Sequence, residues 1–314
     1  MQNIKQINID NCMLLVKLKI EFSKVFRHFV FNIGISFSIH YQILFVIILV
    51  PISCNSTIQP NDPIPAHETF EIQSKNVGEK RVINVWTPKG YGKSKDSLPV
   101  MYMADGGIKD DGGIKDDFPH MANSFAKLIQ SEKIPPMILV SIENIVRRKD
   151  LSDFTEVDKD EEIAALVGGS EKFRAFLSDE LFPEIEKKYR TTDKRGILGE
   201  SLSGLFVMET FFLKPELFDY YIAFDPSLWW NNQYLVKNAK ENLTKIPAGS
   251  DKKVWFASSD DKDISPYTKQ LAEIFKAENL QNLKWNYSDE PKEKHTTIFR
   301  ATKEKALIWT LGNQ

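Results

Sequence analysis

The chain has 314 residues, and its 41 basic and 43 acidic side chains leave a net charge of −2. This balance argues against a clustered basic face, so no nucleic-acid partner is expected. The two cysteines, Cys12 and Cys54, both lie near the N-terminus. The rest of the chain therefore has no disulfide framework and no cysteine-ligated zinc site.

An apolar segment near the N-terminus, residues 29–53, follows a stretch that contains several lysines and an arginine. This order is typical of an export signal. Cys54 comes directly after Ser53, which resembles a bacterial lipoprotein processing site where lipid is attached to the cysteine. An uncleaved membrane anchor is an alternative, because about twenty apolar residues can span a bilayer, and a buried core helix is another. We expect residues 1–54 to place the protein in the bacterial cell envelope, membrane-tethered or periplasmic.

Residues 55–67 are polar and contain three prolines, as in a linker. The domain that follows, residues 68–314, begins with two alternating apolar and polar runs that predict a β-hairpin. Continuous apolar runs then predict buried strands, and longer amphipathic stretches between them predict helices. The predicted strands are 69–73, 81–87, 99–103, 136–142, 196–198, 220–224, 253–257 and 283–287, and the predicted helices are 121–131, 170–189, 204–213, 267–277 and 301–311.

The alternation of strands and helices predicts βαβ crossovers and a mainly parallel sheet with helices on both faces. The hairpin predicts an antiparallel edge at the N-terminal side of that sheet. About 250 residues remain after the N-terminal segment, which suits a single α/β domain. We therefore expect a single α/β domain built on such a sheet.

The motif is Gly199-Glu200-Ser201-Leu202-Ser203-Gly204, which lies between a predicted strand and a predicted helix. It has the layout of a nucleophile elbow, in which a serine on a strained turn is lifted clear of the sheet. Such an elbow is typical of the α/β-hydrolase fold, which is therefore the fold that we expect. Small neighbours let such a turn close without clashes. Ser203 stands where the second glycine of the motif is usual, and serine is small enough to fit.

A serine hydroxyl needs a base to become a nucleophile, and the base needs an acid to orient it. In this fold the chain order is serine, acid, histidine. His295 is the only histidine after Ser201, and it follows the last predicted strand. The loop after the preceding strand holds three candidate acids, of which Asp260 has the usual spacing, with Asp263 and Asp261 as alternatives.

An oxyanion hole needs two backbone N–H groups. The N–H of Leu202 is expected to be one, and the loop around Asp105 and Gly106 is expected to supply the other, with Gly106 as the named donor. A six-residue sequence is repeated directly in this loop, at 106–111 and 112–117. The repeat is expected to be a duplication in a surface loop, which tolerates insertions.

Four segments together resemble the "Putative esterase" family of α/β-hydrolases, above all its siderophore-esterase-like branch: 99–106, 199–206, 224–230 and 294–298. The resemblance covers about Phe70 to Leu311 and extends to feruloyl esterases and S-formylglutathione hydrolase. It implies a metal-independent serine hydrolase without a cofactor, in which Ser201 and His295 match the catalytic positions. The chain departs from the family pattern at Glu200, Ser203, Asp225 and Thr296, where histidine, glycine, serine and glycine are common.

The leading hypothesis is hydrolysis of a small-molecule carboxylic ester. Acyl transfer to an alcohol on the same fold and a tethered, non-catalytic binding protein are the alternatives. Trp229 and Trp230 are expected either to line an acyl or aryl pocket or to pack beneath a loop. Arg147 and Arg148 are expected either to meet an anionic substrate or to lie on the solvated surface. Neither the ester nor the oligomeric state can be derived from the sequence.

Overall fold

The computed structural model describes residues 64–108, 117–247, 251–281 and 283–312. They belong to the compact unit Gln59–Gln314. The predicted export segment, Cys54 and residues 109–116 of the repeated loop lie outside the described residues. Within the described part of the chain, no helix combines the length and apolar character that a membrane crossing needs.

The described strands form one eight-stranded sheet with the order β1-β2-β4-β3-β5-β6-β7-β8. The two N-terminal strands pair antiparallel, and β2 also pairs antiparallel with β4. All other neighbouring pairs are parallel. This is the mainly parallel sheet with an antiparallel N-terminal edge that the sequence predicts. The strands are β1 Glu68–Gln73, β2 Lys80–Trp86, β3 Leu98–Met103, β4 Ile138–Glu143, β5 Thr191–Glu200, β6 Tyr220–Phe224, β7 Lys252–Ser258 and β8 Leu283–Asp289.

The α-helices connect these strands, and most of the longer ones pack against the sheet. They are α1 Asp117–Gln130, α2 Arg147–Leu151, α3 Asp158–Ile163, α4 Ser170–Phe176, α5 Phe182–Lys188, α6 Leu202–Leu213, α7 Trp230–Lys237, α8 Ala239–Thr244, α9 Ser265–Glu278 and α10 Ile298–Leu311.

The sheet separates two hydrophobic clusters, because successive side chains of a strand point to opposite faces. In β3, Tyr102 joins the cluster shared with α4, α5, α6 and α9, whereas Met101 and Met103 join the cluster shared with α1 and α10. In β6 the same alternation places Tyr221 in the first cluster and Ile222 in the second. The central strands are therefore buried on both faces, which explains their continuous apolar runs.

Two elements differ most from the sequence-based boundaries, and the others differ by up to four residues at an end. The predicted helix 170–189 is divided by a π-helical turn, Leu177–Leu181, with a proline at the start of α5. Strand β5 begins at Thr191, five residues before the predicted start, because its polar first half pairs with β3 at the exposed end of the sheet. The helices α2, α3, α7 and α8 were not predicted, since each has eight residues or fewer.

Candidate active site

Ser201 occupies the tight turn between β5 and α6, with φ 59° and ψ −119°. This conformation is strained for a residue with a side chain and recurs at functional sites. Two backbone hydrogen bonds stabilise it. The Ser201 N–H donates to the Phe224 carbonyl at 2.9 Å, and the Ser227 N–H donates to the Ser201 carbonyl at 3.1 Å. The turn is thus attached to the segment that follows β6.

The small residues around Ser201 are required by close packing. A Cβ atom on Gly199 would lie 2.1 Å from the Ser203 Oγ and 2.6 Å from the Ser203 backbone. A Cβ atom on Gly204 would lie 3.1 Å from the Phe224 carbonyl oxygen. Ser203 fits, but its buried hydroxyl has no hydrogen-bond partner in the described part of the chain.

His295 lies in the loop between β8 and α10, against the Ser201 side chain. Its Nε2 is 3.0 Å from the Ser201 Oγ. The Ser227 Oγ is 3.4 Å from the same oxygen. The structure therefore brings together the serine that the turn motif predicts as nucleophile and the histidine that chain order predicts as base.

The acidic partner of His295 is Asp225, which the sequence argument did not select. The His295 Nδ1 is 2.7 Å from the Asp225 Oδ2. Asp225 directly follows β6, is fully buried and has a positive φ of 43°. The chain turns sharply there and directs the carboxylate towards the histidine loop. The sequence did contain a signal, because Asp225 stands where serine is common in the family.

The prediction of Asp260, with Asp263 and Asp261 as alternatives, is therefore wrong for the contact with His295. The Asp260 carboxylate instead accepts a hydrogen bond from the Lys294 Nζ. The Asp261 Oδ1 accepts the backbone N–H of Asp263, and both of these aspartates lie at the surface end of the loop. The loop after β7 is close to His295, but none of its carboxylates bonds to the ring.

The charges around His295 favour its protonated form. The hydrogen bond that the Asp225 carboxylate accepts from the ring raises the pKa of His295 above its ordinary value of 6.5, against the opposing effect of burial, and Glu200 adds to the rise when it is ionised. Burial raises the pKa of Glu200 itself to about 8, and the carboxylate of Asp117 adds to that shift. The raised pKa moves the appearance of the neutral, proton-accepting form of His295 to higher pH, while the neighbouring Glu200 carboxyl stays largely neutral near pH 7.

The two predicted oxyanion donors differ in their availability. Leu202 is the first residue of α6, and its N–H donates to no acceptor among the described residues. The Gly106 N–H, in contrast, donates to the Ile142 carbonyl at 3.1 Å, so the prediction of Gly106 as donor is wrong. The preceding N–H, that of Asp105, makes no hydrogen bond in the described part of the chain.

Arg147 holds the Asp105 loop in place. Its Nε donates to the Asp105 Oδ2, and its Nη2 lies 3.5 Å from the Glu200 carbonyl oxygen. Asn144 donates to the Ala104 carbonyl of the same loop at 2.8 Å. Arg148 instead bonds to the Ile163 carbonyl. Arg147 is thus partly buried and engaged by the Asp105 loop, whereas Arg148 is exposed, as the alternative of a surface arginine expects.

The two predicted pocket tryptophans have different environments. Trp230 is buried, and its indole N–H donates to the Asp153 carbonyl at 3.2 Å, so it follows the packing alternative rather than the pocket prediction. Trp229 is partly buried against the same core, with its ring centroid 5.7 Å from that of Trp230. A pocket role for Trp229 stays a prediction.

The sequence matches the model of the family described as "Putative esterase" over residues 74–309. That span covers most of the chain. The chain belongs to this family. The membership agrees with the resemblance seen in the four sequence segments.

Two curated relatives are named as siderophore esterases. The chain is 43% identical over 81 residues to the ferri-bacillibactin esterase BesA of Bacillus subtilis, and the match covers 25% of this chain and 28% of that protein. It is 34% identical over 80 residues to the siderophore enterobactin esterase of Emericella nidulans, covering 24% and 26%. The chain thus matches only about a quarter of the length of these relatives.

Solved structures share the fold over a longer span. An IroE-like serine hydrolase from Shewanella oneidensis superposes with a TM-score of 0.69 at 24% identity, covering 78% of this chain and 79% of that one. The BES protein from Bacillus cereus gives a TM-score of 0.70 at 22% identity, covering 80% and 98%. The expected α/β-hydrolase fold is confirmed.

Proposed function

We propose that the protein hydrolyses carboxylic esters through an acyl-enzyme on Ser201. The observation that carries the proposal is the continuous hydrogen-bonded chain from the Ser201 Oγ through the His295 ring to the buried Asp225 carboxylate. Its order and geometry suit a nucleophile, a general base and an orienting acid. The strained turn under Ser201 adds a second argument.

In the proposed first half-reaction, the Ser201 Oγ attacks the ester carbonyl carbon while the His295 Nε2 takes the hydroxyl proton. The resulting oxyanion is stabilised by the N–H of Leu202, at the positive end of α6, and by that of Asp105. The tetrahedral intermediate then expels the alcohol, which leaves with the proton returned by His295. The product is an ester between the acyl group and Ser201.

In the second half-reaction, His295 takes a proton from water, and the hydroxide attacks the acyl carbon. The intermediate collapses, the acid is released, and the Ser201 Oγ regains its proton. The buried Asp225 carboxylate holds the Nδ1–H tautomer throughout and stabilises the imidazolium formed in each half. No step requires a metal ion or a cofactor.

The names of the relatives support a siderophore ester as the substrate class. A panel of p-nitrophenyl acetate, a feruloyl ester and a triester siderophore tests both the chemistry and this preference. We expect turnover by the wild type and a loss of at least about 10³-fold in Ser201→Ala. If the wild type turns over no ester, or if Ser201→Ala keeps full activity, the proposal is wrong.

The N-terminal segment, residues 1–54, bears on where the protein is located in the cell. We infer that residues 1–54 bring the esterase domain to a membrane, with Cys54 as the lipid attachment site, from the basic, apolar and cysteine order of the sequence. Cell fractionation of the full chain tests this. Cys54→Ala is expected to move the protein from the membrane fraction to the soluble fraction, and an unchanged distribution contradicts the lipid attachment.

A further inference from the structure

Two adjacent serines lie at the C-terminal end of β7, and their hydroxyls have different partners. Ser258 and Ser259 are both almost completely buried. The Ser258 Oγ is 2.6 Å from the Tyr287 hydroxyl, away from Asp225. The Ser259 Oγ donates instead to the Asp225 Oδ2 at 2.6 Å. Only the second serine therefore contacts the hydrogen-bonded chain that ends at Ser201.

Ser259 holds both oxygens of the Asp225 carboxylate. Its backbone N–H donates to Oδ1 at 2.9 Å while its hydroxyl donates to Oδ2. Together with the His295 ring, it supplies all the hydrogen bonds to this carboxylate among the described residues. A carboxylate with two fixed donors on one side cannot rotate freely about its Cβ–Cγ bond. The lone pair of Oδ2 that faces His295 is thus kept in place.

The next residue, Asp260, contacts the loop that carries His295, the partner of Asp225. Its N–H donates to the Glu293 carbonyl at 2.9 Å, and its carboxylate pairs with Lys294, directly before His295. The loop after β7 therefore holds the acid through Ser259 and the histidine loop through Asp260. Although this loop supplies no acid to the histidine, it sets the relative position of both groups.

We propose that Ser259 is a positioning residue of the active site, which acts through Asp225 to hold the His295 tautomer that accepts the Ser201 proton. This inference rests on the proposed esterase function. Ser259 does not touch the substrate or the reacting atoms. Its hydroxyl orients the carboxylate and offsets part of its negative charge.

Removal of the hydroxyl has two expected effects. In Ser259→Ala, kcat falls about tenfold at unchanged KM, because a charge-assisted hydrogen bond that orients the acid is lost. The acidic limb of the kcat/KM profile moves to higher pH by a few tenths of a unit. The reason is that the uncompensated Asp225 carboxylate stabilises the imidazolium more strongly. Glu200 and Asp261, which also raise the pKa of His295, are present in every variant.

Two further variants separate this role from a general loss of packing. Ser259→Thr keeps the hydroxyl and is expected to restore kcat and the wild-type pH limb. Ser258→Ala is the matched control, since it removes a neighbouring buried hydroxyl that bonds to Tyr287 rather than to Asp225. It is expected to retain the wild-type profile. Thermal unfolding of each variant reports whether the fold is intact.

The proton NMR signal of the His295 Nδ1–H provides a readout that does not depend on turnover. A strong bond to a carboxylate shifts this proton far downfield. We expect the signal to broaden in Ser259→Ala, because the carboxylate is no longer held in one orientation, and to keep its wild-type form in Ser258→Ala. If a folded Ser259→Ala matches Ser258→Ala in kcat, pH limb and NMR signal, the positioning role is refuted. If Ser201→Ala is as active as the wild type, the esterase proposal itself fails.

Discussion

Replacing Asp225 by asparagine changes the charge and the hydrogen-bonding groups of the side chain but leaves its shape nearly unchanged. In the wild type, the Oδ1 of Asp225 faces the Ser259 backbone N–H, while Oδ2 faces both the Ser259 hydroxyl and the His295 Nδ1. The side-chain amide of the Asp225→Asn variant must turn its NH₂ group towards one of these two sides. The backbone N–H can only donate, whereas a hydroxyl and a neutral imidazole can each switch to accepting.

The amide therefore places its oxygen at the Oδ1 position and its NH₂ group towards His295. The reverse orientation would oppose two donors in a buried site, which costs about 1–3 kcal/mol. Facing an NH₂ group, the His295 Nδ1 becomes an acceptor, and the proton moves to Nε2. That nitrogen, 3.0 Å from the Ser201 Oγ, then cannot take the serine proton.

We expect Asp225→Asn to lower kcat by roughly 10³- to 10⁴-fold with little change in stability, as in other enzymes whose histidine is held in the wrong tautomer. Asp260→Asn is the matched comparison. Asp260→Asn keeps the backbone N–H bond to the Glu293 carbonyl that holds the histidine loop, and the pair with Lys294 that it loses is partly exposed, so kcat is expected to change by less than about fivefold. Steady-state hydrolysis of p-nitrophenyl butyrate measures both. If Asp260→Asn loses more activity than Asp225→Asn, the assignment of the acid is refuted.

Three further changes test the surroundings of the nucleophile. Burial keeps Glu200 protonated up to about pH 8 in the folded state, whereas it ionises near 4.5 when unfolded, so wild-type stability falls as pH rises through this window. We therefore compare the free energy of unfolding of Glu200→Gln with that of the wild type by urea unfolding at two pH values. The difference is expected to be about 1–2 kcal/mol more in favour of the variant at pH 8.5 than at pH 4. An equal difference at both pH values contradicts the raised pKa. Ser203→Ala removes a buried hydroxyl without a partner among the described residues and is expected to leave stability unchanged or raise it by up to about 1 kcal/mol; a loss above about 1 kcal/mol in the same assay would reveal a missed contact. Gly199→Ala places a methyl group 2.1 Å from the Ser203 Oγ and is expected to abolish activity and lower the melting temperature, so a stable, active variant would show that the turn is less tightly packed.

The contact between Ser201 and His295 could be predicted from the sequence because a local motif and the chain order point to the same pair. Ser201 has a turn motif around it, and His295 is the only histidine after it. The acid could not be derived in the same way, since β6 and β7 both end in loops that begin with or contain aspartate. The choice between them depends on the positive φ of Asp225 and on the pairing of Asp260 with Lys294, which are tertiary features.

The strands of the sheet also divide into parts that the sequence predicts and parts that it does not. Strands that are buried on both faces have continuous apolar runs, and these runs made the parallel strands of the sheet predictable from the sequence. The first half of β5, in contrast, is polar because it lies at the end of the sheet, and its pairing with β3 supplies the missing signal. The position of Gly106 in the chain makes its N–H a reasonable oxyanion donor. Its hydrogen bond to the Ile142 carbonyl is a tertiary contact that the sequence does not show.

Covalent acylation of Ser201 is the step on which the proposed hydrolysis depends. Intact-protein mass spectrometry after rapid acid quench of a reaction with p-nitrophenyl butyrate tests it directly, with peptide mapping to locate the modification. We expect a butyryl adduct on Ser201 of the wild type, trapped by the quench during turnover, and no such adduct in Ser201→Ala. An adduct on another residue, or an equal adduct in Ser201→Ala, would show that Ser201 is not the nucleophile.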